Sequence, residues 1–149
     1  MRRRGNAAIL NELAKLRAAQ RTASERELSR ARSEVRRLLS LKDKSEQTMQ
    51  LRQEAWIGSL SGATFVPELA RAWATSVQET EAELVHLGGL AGRAEAESDR
   101  CRERWLTAQL EQDRAEDLAQ TAARSDRKRR EVLALAEAEE QAMRAKAVA

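Results

Sequence analysis

The sequence is poor in aromatic side chains, with no tyrosine, one phenylalanine and three tryptophans among 149 residues. A compact globular core normally takes much of its buried area from aromatic residues, so this composition argues against a core of that kind. The single cysteine, Cys101, cannot form an internal disulfide, which fits a reducing compartment. No stretch approaches the roughly 18 apolar residues of a membrane-spanning helix. We therefore expect a cytoplasmic protein that does not insert into a membrane.

Alanine, glutamate, arginine and leucine are abundant instead, which is typical of long helices and coiled coils. Charged residues make up 34% of the chain, a feature that a disordered protein would share. The charges are divided by sign: residues 1–56 carry 14 basic and 7 acidic side chains, whereas residues 57–123 carry 6 and 12. Segments of opposite net charge are suited to pairing with each other.

A seven-residue apolar repeat in the second half of the chain decides against disorder. Alternating steps of four and three residues from Val66 to Met143 meet 23 positions, of which 17 are apolar. This is the spacing of the a and d positions of a left-handed coiled coil, which form the seam, the face along which the helices pack.

The first half has a similar but less regular repeat. Its apolar positions are Ile9, Leu13 and Leu16, then Leu28, Ala31, Val35 and Leu38, and later Met49 and Trp56. Leu39 and Leu41 fall beside this frame, which predicts a slip of the repeat there.

The stretch GSLSGATFVP, residues 58–67, separates the two repeats and predicts a turn between two helices. Gly58 is suited to end the first helix in a left-handed conformation, and Ser61 or Thr64 to cap the second. Pro67 then falls in the first helical turn, where its missing N–H costs nothing.

We expect an all-α fold, a long antiparallel two-helix coiled-coil hairpin with a C-terminal helical overhang, as a single domain over residues 1–149. The helices are predicted at about 6–57 and 67–146, and the turn at about 58–66. Gly5–Asn6 is suited to cap the first helix.

A hairpin centred near residue 64 predicts which residues face each other. Trp56 comes opposite Trp73, and Leu38 comes opposite Ala91. Residues beyond about 123 have no internal partner, although the apolar repeat continues through them, so we expect an external partner to cover them.

No group of residues points to catalysis or to a bound metal or cofactor. His86, the only histidine, has no second ligand or nucleophile near it in the sequence, and we interpret it as a surface or seam-edge side chain. Cys101 lies in the repeat as a small core residue. The three glycines of HLGGLAGRA, residues 86–94, lack the lysine of a phosphate-binding loop. We interpret these glycines as positions that let the second helix pack closely under Leu38 and Leu41, and a hinge is the alternative interpretation. We expect no enzyme activity, no cofactor and no small-molecule substrate.

The densest basic run is RSDRKRRE, residues 124–131. Nucleic-acid binding is one reading of such a run, but no aromatic residue interleaves it. A solvated or partner-facing basic stripe is the preferred interpretation, so nucleic acid is not an expected partner.

The pattern as a whole resembles the FliJ/YscO family of type III secretion proteins, from the flagellar export apparatus and the injectisome. The likeness covers nearly the full chain: a basic start, a charged first helix, the break SLSGATF, and the longer second helix opened by FVPELARAWATSVQETEAEL. RSDRKRREVLALA occupies the place of the family's polar, basic stretch. The family commonly has Gln-Lys and Asp-Glu pairs there, whereas this chain has Arg129–Arg130 and no Asp-Glu pair.

The resemblance implies a non-enzymatic central stalk, located in the cytoplasm and peripheral to the inner-membrane secretion apparatus. Its implied partners are the hexameric export ATPase, into which it would insert, the cytosolic domain of the export gate protein, and export chaperones. By this resemblance, the residues expected to bind the gate protein are Phe65, Val66, Leu69 and Trp73. The residues expected to bind the ATPase are Arg2, Arg3, Arg4, Arg127, Lys128, Arg129, Arg130 and Leu133.

Three alternatives remain open at this point. Phe65 could instead close the end of the hairpin as a hydrophobic plug. The chain could be a structural coiled-coil scaffold that oligomerises through its C-terminal overhang, or a basic coiled coil associated with nucleic acid. The sequence leaves open whether the secretion system is flagellar or virulence-related.

Overall fold

The structure of the protein, a computed structural model, describes residues 5–62 and 64–148. It contains two helices, α1 (Asn6–Ser61) and α2 (Pro67–Val148), and no strand within these residues. The helices pack against each other, which confirms the predicted all-α two-helix hairpin. Alanine, leucine, arginine and glutamate favour this outcome, because they are the residues with the highest helix propensity.

The start of α1 agrees with the expected cap at Gly5–Asn6. The carbonyl oxygen of Gly5 accepts hydrogen bonds from the backbone N–H groups of Ala8, at 3.0 Å, and Ile9, at 3.3 Å. Gly5 therefore stands at the N-cap position, and Asn6 is the first helical residue.

The prediction that Gly58 ends the first helix is wrong. Gly58 lies inside α1, and no described glycine has a positive φ. Two serine hydroxyls satisfy carbonyl groups of the last turns, which lets the helix continue to its end without a left-handed residue. The hydroxyl of Ser59 donates to the carbonyl of Trp56 at 2.6 Å, and that of Ser61 donates to Ile57 at 2.8 Å.

The cap predicted for α2 is also wrong. Ser61 belongs to α1, and Thr64 lies outside the cap position. The carbonyl oxygen of Val66 accepts the first helical hydrogen bond, from Ala70 at 3.2 Å, so Val66 stands at the N-cap. Pro67 is the first residue of the helix, as predicted, and there its missing N–H costs no hydrogen bond.

The tertiary contacts form two compact units. We call Arg26–Glu103 the turn unit, and Met1–Glu25 with Arg104–Ala149 the terminal unit. Each contains a stretch of α1 packed antiparallel on a stretch of α2, and each is described by itself.

In the turn unit, the seven-residue repeat of α2 is the buried face. Every repeat position from Ala70 to Cys101 is buried or half-buried. Leu38 and Ala91 are both buried, and Trp56 and Trp73 are both half-buried, in agreement with the predicted pairing.

A polar layer fixes the register of the turn unit. The guanidinium of Arg52 donates hydrogen bonds to the hydroxyl of Thr80 and, at 3.4 Å, to the carbonyl of Ser76. Thr80 is the most completely buried side chain, and its hydroxyl donates to the same carbonyl at 2.9 Å. Sliding one helix along the other would leave these groups unpaired in the interface, so the layer favours a single alignment.

The predicted slip of the repeat at Leu39 and Leu41 is wrong, because both side chains are exposed. The frame of Leu38 continues without interruption through half-buried Lys42 to buried Ser45. Apolar residues alone do not mark this seam, because it passes through two polar positions, Lys42 and Ser45.

In the terminal unit, α1 and α2 pack through small residues and charged pairs. Ala14 and Ala115 are buried. Arg17 donates a hydrogen bond to Glu111 at 2.8 Å, and Arg21 donates to the side-chain carbonyl of Gln112 at 3.3 Å. These two pairs agree with the antiparallel register that was predicted for the hairpin.

The predicted start of the first seam at Ile9, Leu13 and Leu16 is wrong for its outer members, since Ile9 and Leu16 are exposed and only Leu13 is half-buried. The frame of Leu28, followed backwards in steps of four and three, reaches Ala14 and Leu10 instead. A shift of one position turns a side chain by about 100° around the helix, which is enough to move it from the seam to the surface.

Candidate protein-binding surfaces

Side chains that could carry chemistry are dispersed in this fold. His86 is exposed, and Cys101 is buried in the seam, where its thiol donates a hydrogen bond to Glu97 at 3.6 Å. Within residues 5–62 and 64–148, no three histidine, cysteine, aspartate or glutamate side chains lie close enough to hold a metal ion. The candidate sites are therefore surfaces rather than pockets.

The first candidate lies in the turn unit, and we call it the tip surface: Ile57, Leu60, Phe65, Val66 and Leu69. All five side chains are exposed, and they lie in the last turns of α1, the connecting segment and the first turn of α2. Phe65 remains 55% exposed, so it does not close the end of the hairpin as a buried plug. A concentration of exposed apolar side chains such as this is typical of a protein-binding surface.

The four residues that were predicted to bind the gate protein do not all lie on one surface. Phe65, Val66 and Leu69 belong to the tip surface, whereas Trp73 lies half-buried in the seam. Sequence reasoning missed Ile57 and Leu60, because it ended the first helix at about residue 57. The stretch GSLSG could have indicated that the first helix includes Ile57 and Leu60, because its serine hydroxyls can hydrogen-bond the last carbonyl groups of a helix.

The second candidate lies in the terminal unit, and we call it the tail surface: residues 127–148 of α2. The last half-buried residue of α2 is Asp126, and every residue from 127 to 148 is exposed. This confirms the predicted C-terminal helical overhang. Val132, Ala136 and Met143 share one face of the helix, because they are spaced by four and seven residues.

Leu133 and Leu135 flank this line of residues, so the tail surface carries an apolar stripe that the chain itself does not cover. The predicted ATPase-binding residues Arg127–Arg130 and Leu133 are all exposed on it. The other three, Arg2, Arg3 and Arg4, lie outside the described residues.

The tail surface is also divided by charge. Residues 127–130 are all basic, and Glu137, Glu139 and Glu140 form an acidic group further along the helix. Arg144 donates a hydrogen bond to Glu140 at 2.6 Å, as an exposed ion pair one turn apart. Exposed pairs of this kind contribute only about 0.3–0.5 kcal/mol, so Glu140 can exchange this partner for another at little cost.

The packing role predicted for the glycines at 88, 89 and 92 is wrong. A methyl group added at any of the three would meet nothing within 4 Å. Gly89 instead leaves a shallow depression on α2, beside His86 and Arg93. The three glycines lie inside a regular helix with negative φ, so neither space nor backbone conformation requires them.

Comparison with protein-family models, with curated proteins and with solved structures found no match to this chain. Over the described residues, no helical segment combines the length and the apolar character that crossing a bilayer requires. The protein is defined by its fold, a two-helix all-α hairpin that leaves two apolar surfaces uncovered.

Proposed function

We propose that this chain is a non-enzymatic coupling protein of a type III secretion export apparatus, either flagellar or of an injectisome. In this role the tail surface inserts into the hexameric export ATPase, and the tip surface binds the cytosolic domain of the export gate protein. Export chaperones are a further partner. The protein acts in the bacterial cytoplasm, at the periphery of the inner-membrane apparatus, and needs no cofactor or small-molecule substrate.

The observation that carries the proposal is the presence of two separate uncovered apolar surfaces, one in each unit. A linking protein must bind two partners at once, and this requires two surfaces that do not compete. The tip surface offers an aromatic and branched aliphatic cluster, and the tail surface combines an apolar stripe with a basic run. Binding interfaces commonly have an apolar centre with a polar rim, and arginine is enriched in them.

The packing within each unit suits this role physically. The repeat positions of α2 are buried or half-buried from Ala70 to Cys101 in the turn unit and from Trp105 to Asp126 in the terminal unit. Polar pairs in both units hold the register, since Arg52 meets Thr80 in the turn unit and Arg17 meets Glu111 in the terminal unit. A registered pair of helices resists sliding, which is what transmission of a mechanical signal requires.

The proposal is tested by titrating the purified chain against the export ATPase hexamer and against the cytosolic gate domain, both from the genome that encodes it. Phe65→Ala and Leu69→Ala should each weaken gate binding by about fivefold to thirtyfold, because truncating a central apolar side chain costs about 1–2 kcal/mol. The same variants should bind the ATPase normally. Leu133→Ala should show the reverse pattern.

A matched control is Leu51→Ala, which truncates a leucine outside both surfaces that is 66% exposed, against 50% for Leu69 and 56% for Leu133. It should leave both titrations unchanged. Failure of the unaltered chain to bind either partner at tens of micromolar would rule out the proposed role. If the tip variants lose helix content together with both partners, the tip residues are structural.

A further inference from the structure

The tail surface carries opposite charges towards its two ends. Its basic run, residues 127–130, precedes Leu133 and Ala136, and its acidic group, residues 137–140, follows them. A twofold axis passing between Leu133 and Ala136 exchanges the basic and acidic groups. The segment is therefore complementary to itself when two copies run antiparallel.

We infer that the natural occupant of the uncovered tail surface, in the free protein, is the tail surface of a second copy of this chain. Leu133 of one copy packs against Ala136 of the other, so a large side chain meets a small one at the centre. Arg129 of each copy lies opposite Glu140 of the other on the same seam. Arg130 and Glu137, which stand at the flanking e positions of the repeat, pair in the same way.

Charge selects this alignment over its neighbours. The seven-residue repeat allows antiparallel registers that differ by one heptad. A shift towards the chain end brings Glu137 against Glu137 and Arg130 against Arg144, which are repulsive contacts. The opposite shift places Met143 against Ala119, which α1 already half-covers.

Charge also selects the antiparallel orientation. In a parallel pair the same seam position of each copy faces its equivalent, so Arg129 would meet Arg129 and Glu140 would meet Glu140. Like charges held together at a partly desolvated seam repel more strongly than in water. The antiparallel arrangement turns all of these contacts into opposite-charge pairs.

The space needed by the second copy is open in the terminal unit. Arg17 meets Glu111 and Arg21 meets Gln112, and this register places Asn6, the first residue of α1, at about the level of residue 124. The inferred pairing is centred on the seam beyond Asp126, where every residue of α2 up to residue 148 is exposed. The second copy thus continues the cover that α1 provides on the same face.

This inference goes beyond the proposed function and does not depend on it, because self-association needs no other protein. The two are linked by competition, since the same stripe is proposed to bind the ATPase. Pairing would keep Leu133 and its neighbours covered in free copies, and the ATPase would have to displace the second copy.

The test uses two charge-reversed forms of the full chain, studied by sedimentation equilibrium at about 200 µM, because so short a seam belongs to the weak class of interfaces. The acidic form carries Arg129→Glu and Arg130→Glu, and the basic form carries Glu137→Arg and Glu140→Arg. The unaltered chain, 16.7 kDa, should show association to twice that mass.

Each form alone should associate at least about tenfold more weakly, because all four facing pairs become repulsive. The equimolar mixture should recover the doubled mass, since every acidic position then faces a basic one. A mixture that stays at the monomer mass overturns the inference, and so does an unaltered chain that stays monomeric.

The control variant is Arg127→Glu with Lys128→Glu, which changes the net charge equally but at the outer b and c positions. It should associate like the unaltered chain. If it dissociates as fully as the acidic form, net charge rather than facing pairs governs association, and the register is refuted. Association that none of the variants weakens would place the interface elsewhere. Circular dichroism of each form checks that helix content is retained.

Discussion

Truncation of Leu38 tests the uninterrupted seam of α1 most directly, because exposed leucines lie next to it in the sequence. Leu38 is 4% exposed, whereas Leu39 is 39% and Leu41 is 38% exposed. Changing each to alanine removes the same atoms and alters helix propensity by the same small amount. Any difference between the three variants therefore reports how each side chain is packed.

The expected magnitudes follow from the burial of each side chain. Leu38→Ala removes three carbon atoms, worth about 2.4 kcal/mol of transfer free energy at about 0.8 kcal/mol each. The space left opposite Ala91 adds a cavity term, for a total of about 3 kcal/mol, within the range seen for buried leucines. Leu39→Ala and Leu41→Ala should cost at most about 1.5 kcal/mol each, because part of the side chain is already in water and no closed cavity forms.

The measurement is a urea titration of each variant followed by far-ultraviolet circular dichroism. The free energies are comparable if the dependence on urea is unchanged between variants. A cost for Leu39→Ala or Leu41→Ala equal to that of Leu38→Ala would mean that the seam changes face there. The continuous frame described for α1 would then be wrong.

Four further outcomes are expected. Ser45→Ala should stabilise the protein by about 1 kcal/mol in the same titration, because it removes a buried hydroxyl that has no hydrogen-bond partner; a loss of stability would contradict this. Gly89→Ala should stabilise by about 0.5–1 kcal/mol, since the added methyl meets nothing and alanine favours helix; destabilisation would restore the packing interpretation. The pKa of the Glu34 carboxyl lies below its usual value because the carboxylate accepts hydrogen bonds from Arg37. The ionised Glu34 therefore stabilises the fold at a pH above the pKa that it has in the unfolded chain, and this stabilisation is lost as the pH falls through its pKa in the folded protein. Arg37→Ala should raise that pKa towards the usual value in an NMR titration, and an unchanged pKa would refute the cause. In hydrogen exchange at low protein concentration, amides of residues 127–148 should exchange faster than those of the covered part of α2, because no tertiary packing protects them; equal protection would mean that the segment is covered within the chain.

The seam of α2 shows how far a sequence pattern can be followed. The repeat that begins at Val66 was read from residue spacing alone, and its positions from Ala70 to Asp126 are all buried or half-buried. The prediction succeeded because apolar residues occupy most of those positions, so the seven-residue period is visible in their spacing along the sequence. The overhang was predicted by the same reasoning, since the two arms differ in length.

The first helix shows where the same reasoning fails. Its seam includes Arg17, Arg21, Lys42 and Ser45, which no apolar pattern reveals, and it excludes Ile9 and Leu16, which the pattern included. Long basic side chains can cover a seam with their methylene groups while their charged ends reach a partner, as Arg17 reaches Glu111. Whether such a residue faces the seam depends on the partner helix, which is distant in sequence.

Periodicity, charge sign and segment length were enough to predict the fold class, the antiparallel register and the uncovered end of α2. Which polar residues enter the seam, where α1 ends beyond Gly58, and that Ile57 and Leu60 join the tip surface became clear only from the folded hairpin. These features depend on hydrogen bonds and contacts of particular side chains. A serine can end a helix or continue it, and an arginine can face water or a carboxylate, so the outcome is fixed only once the neighbouring groups are in place.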